Sequence, residues 1–388
     1  MASEKLPPPA WVATSLALQQ MIGELASQPC LAVDTESNSL HAYREQVCLI
    51  QFSKPQSDFL VDPLALDDVT PLAPLFANPK IEKVFHAVEY DLICLNRDFG
   101  ITVVNLFDTM QAARILGYKQ VGLDAMLALK LGVRIDKRYQ KADWARRPLT
   151  LEQLNYARLD THYLLQLREI LQHELESRDR WALAREEFVR LSHGGGMARV
   201  ELPPWQRIGG TQKFNERQLA VLQELCAWRE EQAQRMNRPM FKVMDDRRLV
   251  VVAEAAPMTM EELESLELTT RQIHLFGQEL IRAVAEGRQA SPVKRPRTPR
   301  PNEAYLKRLD ALSEWRKRAA EKIGVESDIV LPKAFMHAIA DKNPRSLEEL
   351  AELMPESPWR LGEYGPELLK LLSATPSPRG QEKRQKQE

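Results

Sequence analysis

Four acids and one tyrosine carry the chemistry open to this sequence. Asp34 and Glu36 stand two residues apart at the end of a short apolar run, residues 31–35. Side chains alternate along a strand, so both carboxylates leave the same face. A strand otherwise made of Leu, Ala and Val gains nothing structurally from two neighbouring like charges. Their repulsion raises one pKa unless a cation neutralises them. Asp91 follows a later apolar run, and Tyr156 and Asp160 lie four apart on a helical pattern, which puts them on one face. Taken singly, each has an ordinary explanation: a chance pair of acids, an acid favoured in the first turn of a helix, a tyrosine at a core edge. Taken together, several carboxylates without a soft ligand form a donor set for hard divalent cations, Mg²⁺ or Mn²⁺.

Composition narrows the setting. Hydrophobic residues at 44% and charged residues at 28% give the balance of a soluble globular chain. With 53 basic against 54 acidic residues, whole-chain charge says nothing about a polyanionic partner, so charge must be read locally. Cys30, Cys48, Cys94 and Cys226 are far apart and form no CxxC pair, which argues against zinc and fits buried thiols in a reducing compartment. The N-terminus lacks a secretory pattern, and no apolar run approaches the roughly 18 residues that span a bilayer. A cytoplasmic enzyme without membrane association is the expectation.

The elements that must position the acids come next. Strands are expected at 31–35, 47–52 and 58–61, the last two joined by a turn-type connection at 53–57. With no helix between them they suggest an antiparallel meander. A helix near 68–77, a strand at 83–86, a helix at 88–97, a strand at 102–107 and helices near 108–117 and 123–131 follow. Thr150 is a plausible cap for a long amphipathic helix from 151, the one that carries Tyr156 and Asp160. A meander feeding βα units is a mixed sheet flanked by helices.

Beyond about residue 193 the pattern becomes helical, and it repeats. Trp228 with its following charged residues is matched by Trp315, and Glu261, Glu262 and Leu263 by Glu348, Glu349 and Leu350. Phe276 and Gly277 are matched by Tyr364 and Gly365. Nearly constant spacing predicts two small helical domains. The expected limits are 1–200 for the α/β domain, 201–210 for a linker, 211–290 and 302–375 for the helical domains. A basic, proline-rich linker at 291–301 and a disordered tail at 376–388 complete the chain.

In order and context, the acids resemble the DEDD superfamily of 3′→5′ exonucleases, in its DEDDy branch. There D-x-E ends the first strand, an Asp follows a later strand, and Y-x-x-x-D lies on a late helix. The sister branch carries His five residues before the last Asp; that position here is Asn155. Phe85, His86 and Ala87, residues 106–109 and residues 141–149 look like connecting segments of the ribonuclease D family, and the helical repeats resemble HRDC domains. The resemblance covers nearly the whole chain. It implies an α/β ribonuclease H-like exonuclease domain followed by two all-α HRDC domains. It also implies two divalent ions per site: Asp34 bridging both, Glu36 and Asp160 on the nucleophile side, Asp91 acting through water, and Tyr156 orienting the attacking water. Many DEDD enzymes place Asn where Ala87 stands, so no Asn contact is carried over.

The implied activity is metal-dependent 3′ trimming of structured RNA, precursor tRNA in particular, by a monomer that releases 5′-mononucleotides. Leu40 matches a family position that wedges against the terminal base, or is an ordinary core leucine. Tyr90 can stack on a base or pack. The segment 134–147 mixes cations with rings, the usual means of holding single strands, and points to Lys141, Trp144 and Arg146 as substrate contacts. Two readings compete: a DNA exonuclease of repair or proofreading type, and an inactive nucleic-acid-binding scaffold.

Overall fold

The structure, a computed structural model, describes residues 6–194, 202–296 and 302–374. The start of the expected 201–210 linker, the end of the basic linker and the tail at 376–388 lie outside the described residues.

Six strands form one mixed sheet: β1 (Ala10–Val12), β2 (Cys30–Ser37), β3 (Val47–Lys54), β4 (Ser57–Val61), β5 (Glu82–Phe85) and β6 (Leu106–Asp108). Their order is β1-β4-β3-β2-β5-β6. The β3–β4 hairpin is antiparallel, with Phe52 opposite Phe59, while β1 runs parallel to β4, and β5 parallel to β2 and β6. All residues of β3 but the last are buried, because helices cover both faces of this inner strand.

Among the described residues eight helices accompany the sheet: α1 (Ser15–Leu25), α2 (Ala73–Phe76), α3 (Glu89–Phe99), α4 (Thr109–Leu116), α5 (Leu123–Leu131), α6 (Leu151–His162), α7 (Leu164–Ser177) and α8 (Trp181–Gly194). Three sequence expectations need correction. The strand expected at 102–107 is only β6, three residues long. The long helix from 151 is two helices, because Tyr163 leaves helical geometry at φ −98°, ψ −1°. The helix near 68–77 shrinks to a 3₁₀ turn, Thr70–Leu72, and the four-residue α2, with a proline in each.

The described residues pack into two compact units. One takes in those within Met1–Glu36, Val47–Met197 and Arg300–Glu388, so the second helical repeat shares a unit with the sheet. Its anchor is Arg360, fully buried, which donates to Glu186 Oε1 at 2.6 Å and to Glu187 Oε2 at 2.9 Å, both on α8. The other unit joins the first helical repeat to residues 37–46, where the Tyr43 hydroxyl donates to Glu230 at 3.0 Å.

The two repeats share their internal architecture. Helix Glu216–Met236 corresponds to Glu303–Ile323, and Asp246–Ala255 to Lys333–Lys342, each pair of equal length. Trp228 meets Phe276 edge-on at 5.5 Å and 76°, and Trp315 meets Tyr364 at 5.4 Å and 77°. Both tryptophans are buried, as core anchors are.

Candidate active site

The end of β2 and the last turn of α6 bring three acids together. Asp34, Glu36 and Asp160 each offer a carboxylate oxygen, and these oxygens lie within 4.8 Å of one another. Strand alternation does for the first two what the sequence led one to expect. The third arrives on a helix whose start is fixed by a reciprocal capping box between Thr150 and Gln153.

Asp91 stands in the first turn of α3, buried, and is tied to β2 by Thr35, whose Oγ1 donates to Asp91 Oδ1 at 2.5 Å. The corner before α3 is strained. Ala87 adopts φ +66°, a region that costs a residue with a Cβ about 1–3 kcal/mol. Asp108 holds it there. Fully buried at the start of α4, its carboxylate accepts the backbone N–H groups of Ala87 (3.2 Å), Val88 (2.8 Å), Met110 (2.8 Å) and Gln111 (3.0 Å). One acid thus caps α4 and braces the turn that presents Asp91.

The other end of α6 is pinned to the sheet by Asp58 of β4. His162 Nδ1 lies 2.9 Å from both Asp58 oxygens, Ser53 Oγ donates to Asp58 at 2.7 Å, and Arg158 Nε is 3.7 Å away. His162 and Arg158, four apart, therefore face β4, while Tyr156 and Asp160 turn toward β2.

Electrostatics mark the cluster as unfinished. Burial first, then the charges of Asp91, Asp160 and Glu36, hold Asp34 well above the usual carboxylate range. Burial, with Asp160 and Asp91, does the same to Glu36. Asp160 is pushed up to about 7 by burial and then by Asp91. Asp91 reaches about 7 through burial, although the Thr35 hydrogen bond pulls the other way. No cationic side chain is among the groups that shift these four carboxyls. Like charges gathered out of water without a counter-charge fit a bound cation, and an all-oxygen donor set selects a hard one. The Tyr156 phenol beside them is raised by burial, then by Asp160, Glu36 and Asp34, so it stays protonated.

Comparisons with known proteins accord with this geometry. The 3′-5′ exonuclease family matches residues 9–176, and the HRDC domain matches 218–284 and 306–372. Ribonuclease D of Granulibacter bethesdensis is 30% identical over 95% of this chain and 93% of its own length. The chain belongs to the ribonuclease D family. Ribonuclease D of Pseudomonas paraeruginosa is 32% identical over 94% of this chain and 97% of its own. The crystal structure of Escherichia coli RNase D, an exoribonuclease involved in structured RNA processing, aligns with a TM-score of 0.71 at 26% identity. That alignment covers 96% of this chain and all of the other. The protein is accordingly a hydrolase, a 3′-5′ exoribonuclease. Its acidic cluster gives it dependence on a divalent metal, and RNA is its partner. Among the described residues no helix is long and apolar enough to cross a membrane.

The expected substrate contacts divide. Trp144 is a correction: only 1% exposed, it is a core residue and offers no face to a base. It packs with Cys48, Leu49, Leu60 and Ala157 because Arg147 pulls its segment onto the sheet. That guanidinium donates to both Asp62 oxygens, at 2.8 and 2.6 Å, and to the Trp144 carbonyl at 2.7 Å. Lys141 and Arg146 are exposed, as are Tyr90 at 49% and Leu40 at 37%. Leu40 is thus no core leucine; it lies on the 37–46 segment of the second unit.

Sequence reasoning passed over Thr35, Asp108 and Asp58. An Asp directly ahead of a helical pattern was a readable cap signal for Asp108. Nothing local marks Asp58 or the reach from Thr35 to Asp91, both of which depend on which elements become neighbours.

Proposed function

We propose that this protein trims the 3′ ends of structured RNA, precursor tRNA among them, as a cytoplasmic monomer, and releases 5′-mononucleotides. The observation that carries the reading is the convergence of Asp34, Glu36 and Asp160 within 4.8 Å, with Asp91 joined through Thr35. Relatives named ribonuclease D span nearly the whole chain and favour RNA over DNA.

Asp34 would be shared by two Mg²⁺ or Mn²⁺ ions, with Glu36 and Asp160 holding the ion on the nucleophile side and Asp91 acting on the other through water. Bound there, such ions stabilise both the attacking and the leaving oxygen of an in-line displacement at phosphorus. The protein's own share is geometry. Asp58 fixes the helix, Asp108 and Thr35 fix Asp91, and the protonated Tyr156 orients the attacking water by hydrogen bond rather than as a base. The exposed Lys141 and Arg146 supply phosphate attraction, while Tyr90 offers apolar surface to a terminal base. The expected domain limits belong to the same proposal: 1–200, 211–290 and 302–375, with linkers between.

The test is incubation of a 3′-extended tRNA with Mg²⁺ or Mn²⁺, alongside a matched DNA oligonucleotide. Stepwise release of 5′-mononucleotides from the RNA, halting near the folded end, is expected. Faster hydrolysis of the DNA would contradict the reading.

A further inference from the structure

Tyr156 is held by rings on two sides. Trp144 lies 5.9 Å away between centroids, its plane inclined by 31°, and Tyr139 meets the same ring at 6.1 Å and 60°. Both neighbours come from the segment that precedes α6. Trp144 is buried and cannot move without opening a cavity, while Arg147 staples the segment to Asp62 and to the Cys48 carbonyl. A tyrosine on a helix has two soft torsions, and on an open face its hydroxyl would sweep an arc several ångströms long. Here the space for that sweep is taken by two rings, one tilted and one edge-on, at separations where aromatic pairs attract. Tyr156 shares a face of α6 with Asp160, four residues on, and feels the charges of Asp160, Glu36 and Asp34.

We propose that Trp144 and Tyr139 are positioning residues that clamp the Tyr156 ring, so that its hydroxyl stays directed at the acidic cluster in the resting protein. The proposal rests on the reading of Tyr156 as the group that orients the attacking water. A pre-set hydroxyl matters because displacement at phosphorus requires the water in line, and small misplacements of an orienting group cost rate rather than binding. The clamp acts on kcat and leaves KM and the metal-concentration midpoint where they are.

The test is a double-mutant cycle on the full chain with a 3′-extended RNA. Trp144→Phe keeps a ring but shortens it, and Tyr139→Leu removes the edge contact from a half-buried position. Each is expected to lower kcat by about fivefold, the worth of one aromatic pair, with KM and metal midpoint unchanged. In the Tyr156→Phe background, where no hydroxyl remains to be aimed, neither should lower kcat further. Equal losses with and without the Tyr156 hydroxyl would overturn the clamp, as would no loss from either variant. Full activity of Tyr156→Phe alone would instead overturn the water-orienting role on which it rests. Tyr139→Leu keeps the test open should Trp144→Phe fail to fold.

Discussion

Two clusters of buried carboxylates in this protein face opposite electrostatic conditions. Glu186 and Glu187 of α8 meet Arg360 with side chains 2%, 5% and 0% exposed. Burial works against the charge of Glu187, but Arg190 and Arg360 together outweigh it and hold its carboxyl below the usual range. The Glu186 carboxylate also accepts the amides of Trp359 and Arg360 at the start of a helix, where the dipole favours an anion. Asp34, Glu36 and Asp160 offer oxygens within 4.8 Å of one another, Asp91 is tied to the same strand by Thr35, and their pKa values rise with no cation among the causes. The first cluster carries its counter-charge in the sequence and is complete. The second lacks one, and the missing charge is the chemistry. A sequence that merely needed stability would have placed an arginine there.

The contrast can be broken from either side. The largest effect is expected from Asp34→Asn, which removes a charge that every proposed ion contacts. Hydrolysis should fall by at least about 10³-fold, while RNA binding in metal-free buffer, followed by fluorescence anisotropy, stays close to wild type. Retained activity would mean that the site has been misplaced. On the complete side, Arg360→Met strands two buried carboxylates and should cost about 3–5 kcal/mol, visible as a lower denaturation midpoint. Adding Glu186→Gln and Glu187→Gln should recover much of that loss, because the uncompensated charges are then gone. A single variant as stable as wild type would show that the ion pairs contribute little.

Much of this contrast was open to sequence reading, and the open part is local. Alternation along β2 and the four-residue step on α6 placed Asp34, Glu36, Tyr156 and Asp160 on the right faces because both rules act over a few residues. The β3–β4 hairpin was legible for the same reason. What stayed hidden depends on distant partners. β1 has three residues, too few to show a period, and exists because β4 offers it an edge. Trp144 sits among cations in the sequence and looked like a stacking residue. Only the pull of Arg147 toward Asp62, 85 positions away, turns it inward. Arg360 and Glu186 are 174 residues apart, and no spacing rule joins them. The chemistry was therefore easier to read than its supports.

The two clusters must also respond to pH with opposite sign. A carboxylate whose folded pKa is depressed, as in Glu187, stabilises the fold above its unfolded value near 4.3, and the contribution is lost as pH falls. For acids raised to about 7, such as Asp91 and Asp160, the penalty sets in as pH rises from about 4 and is complete above 7. Thermal unfolding of the metal-free chain between pH 5.5 and 8, with and without Mg²⁺ or Mn²⁺, tests the missing charge most directly. Without metal, the midpoint should fall by a few degrees as pH rises. Metal should restore it most at the alkaline end, and Asp34→Asn should flatten both responses. A metal-free midpoint that is level or rises with pH, unmoved by metal and by Asp34→Asn alike, would contradict a cluster built to be completed by a cation.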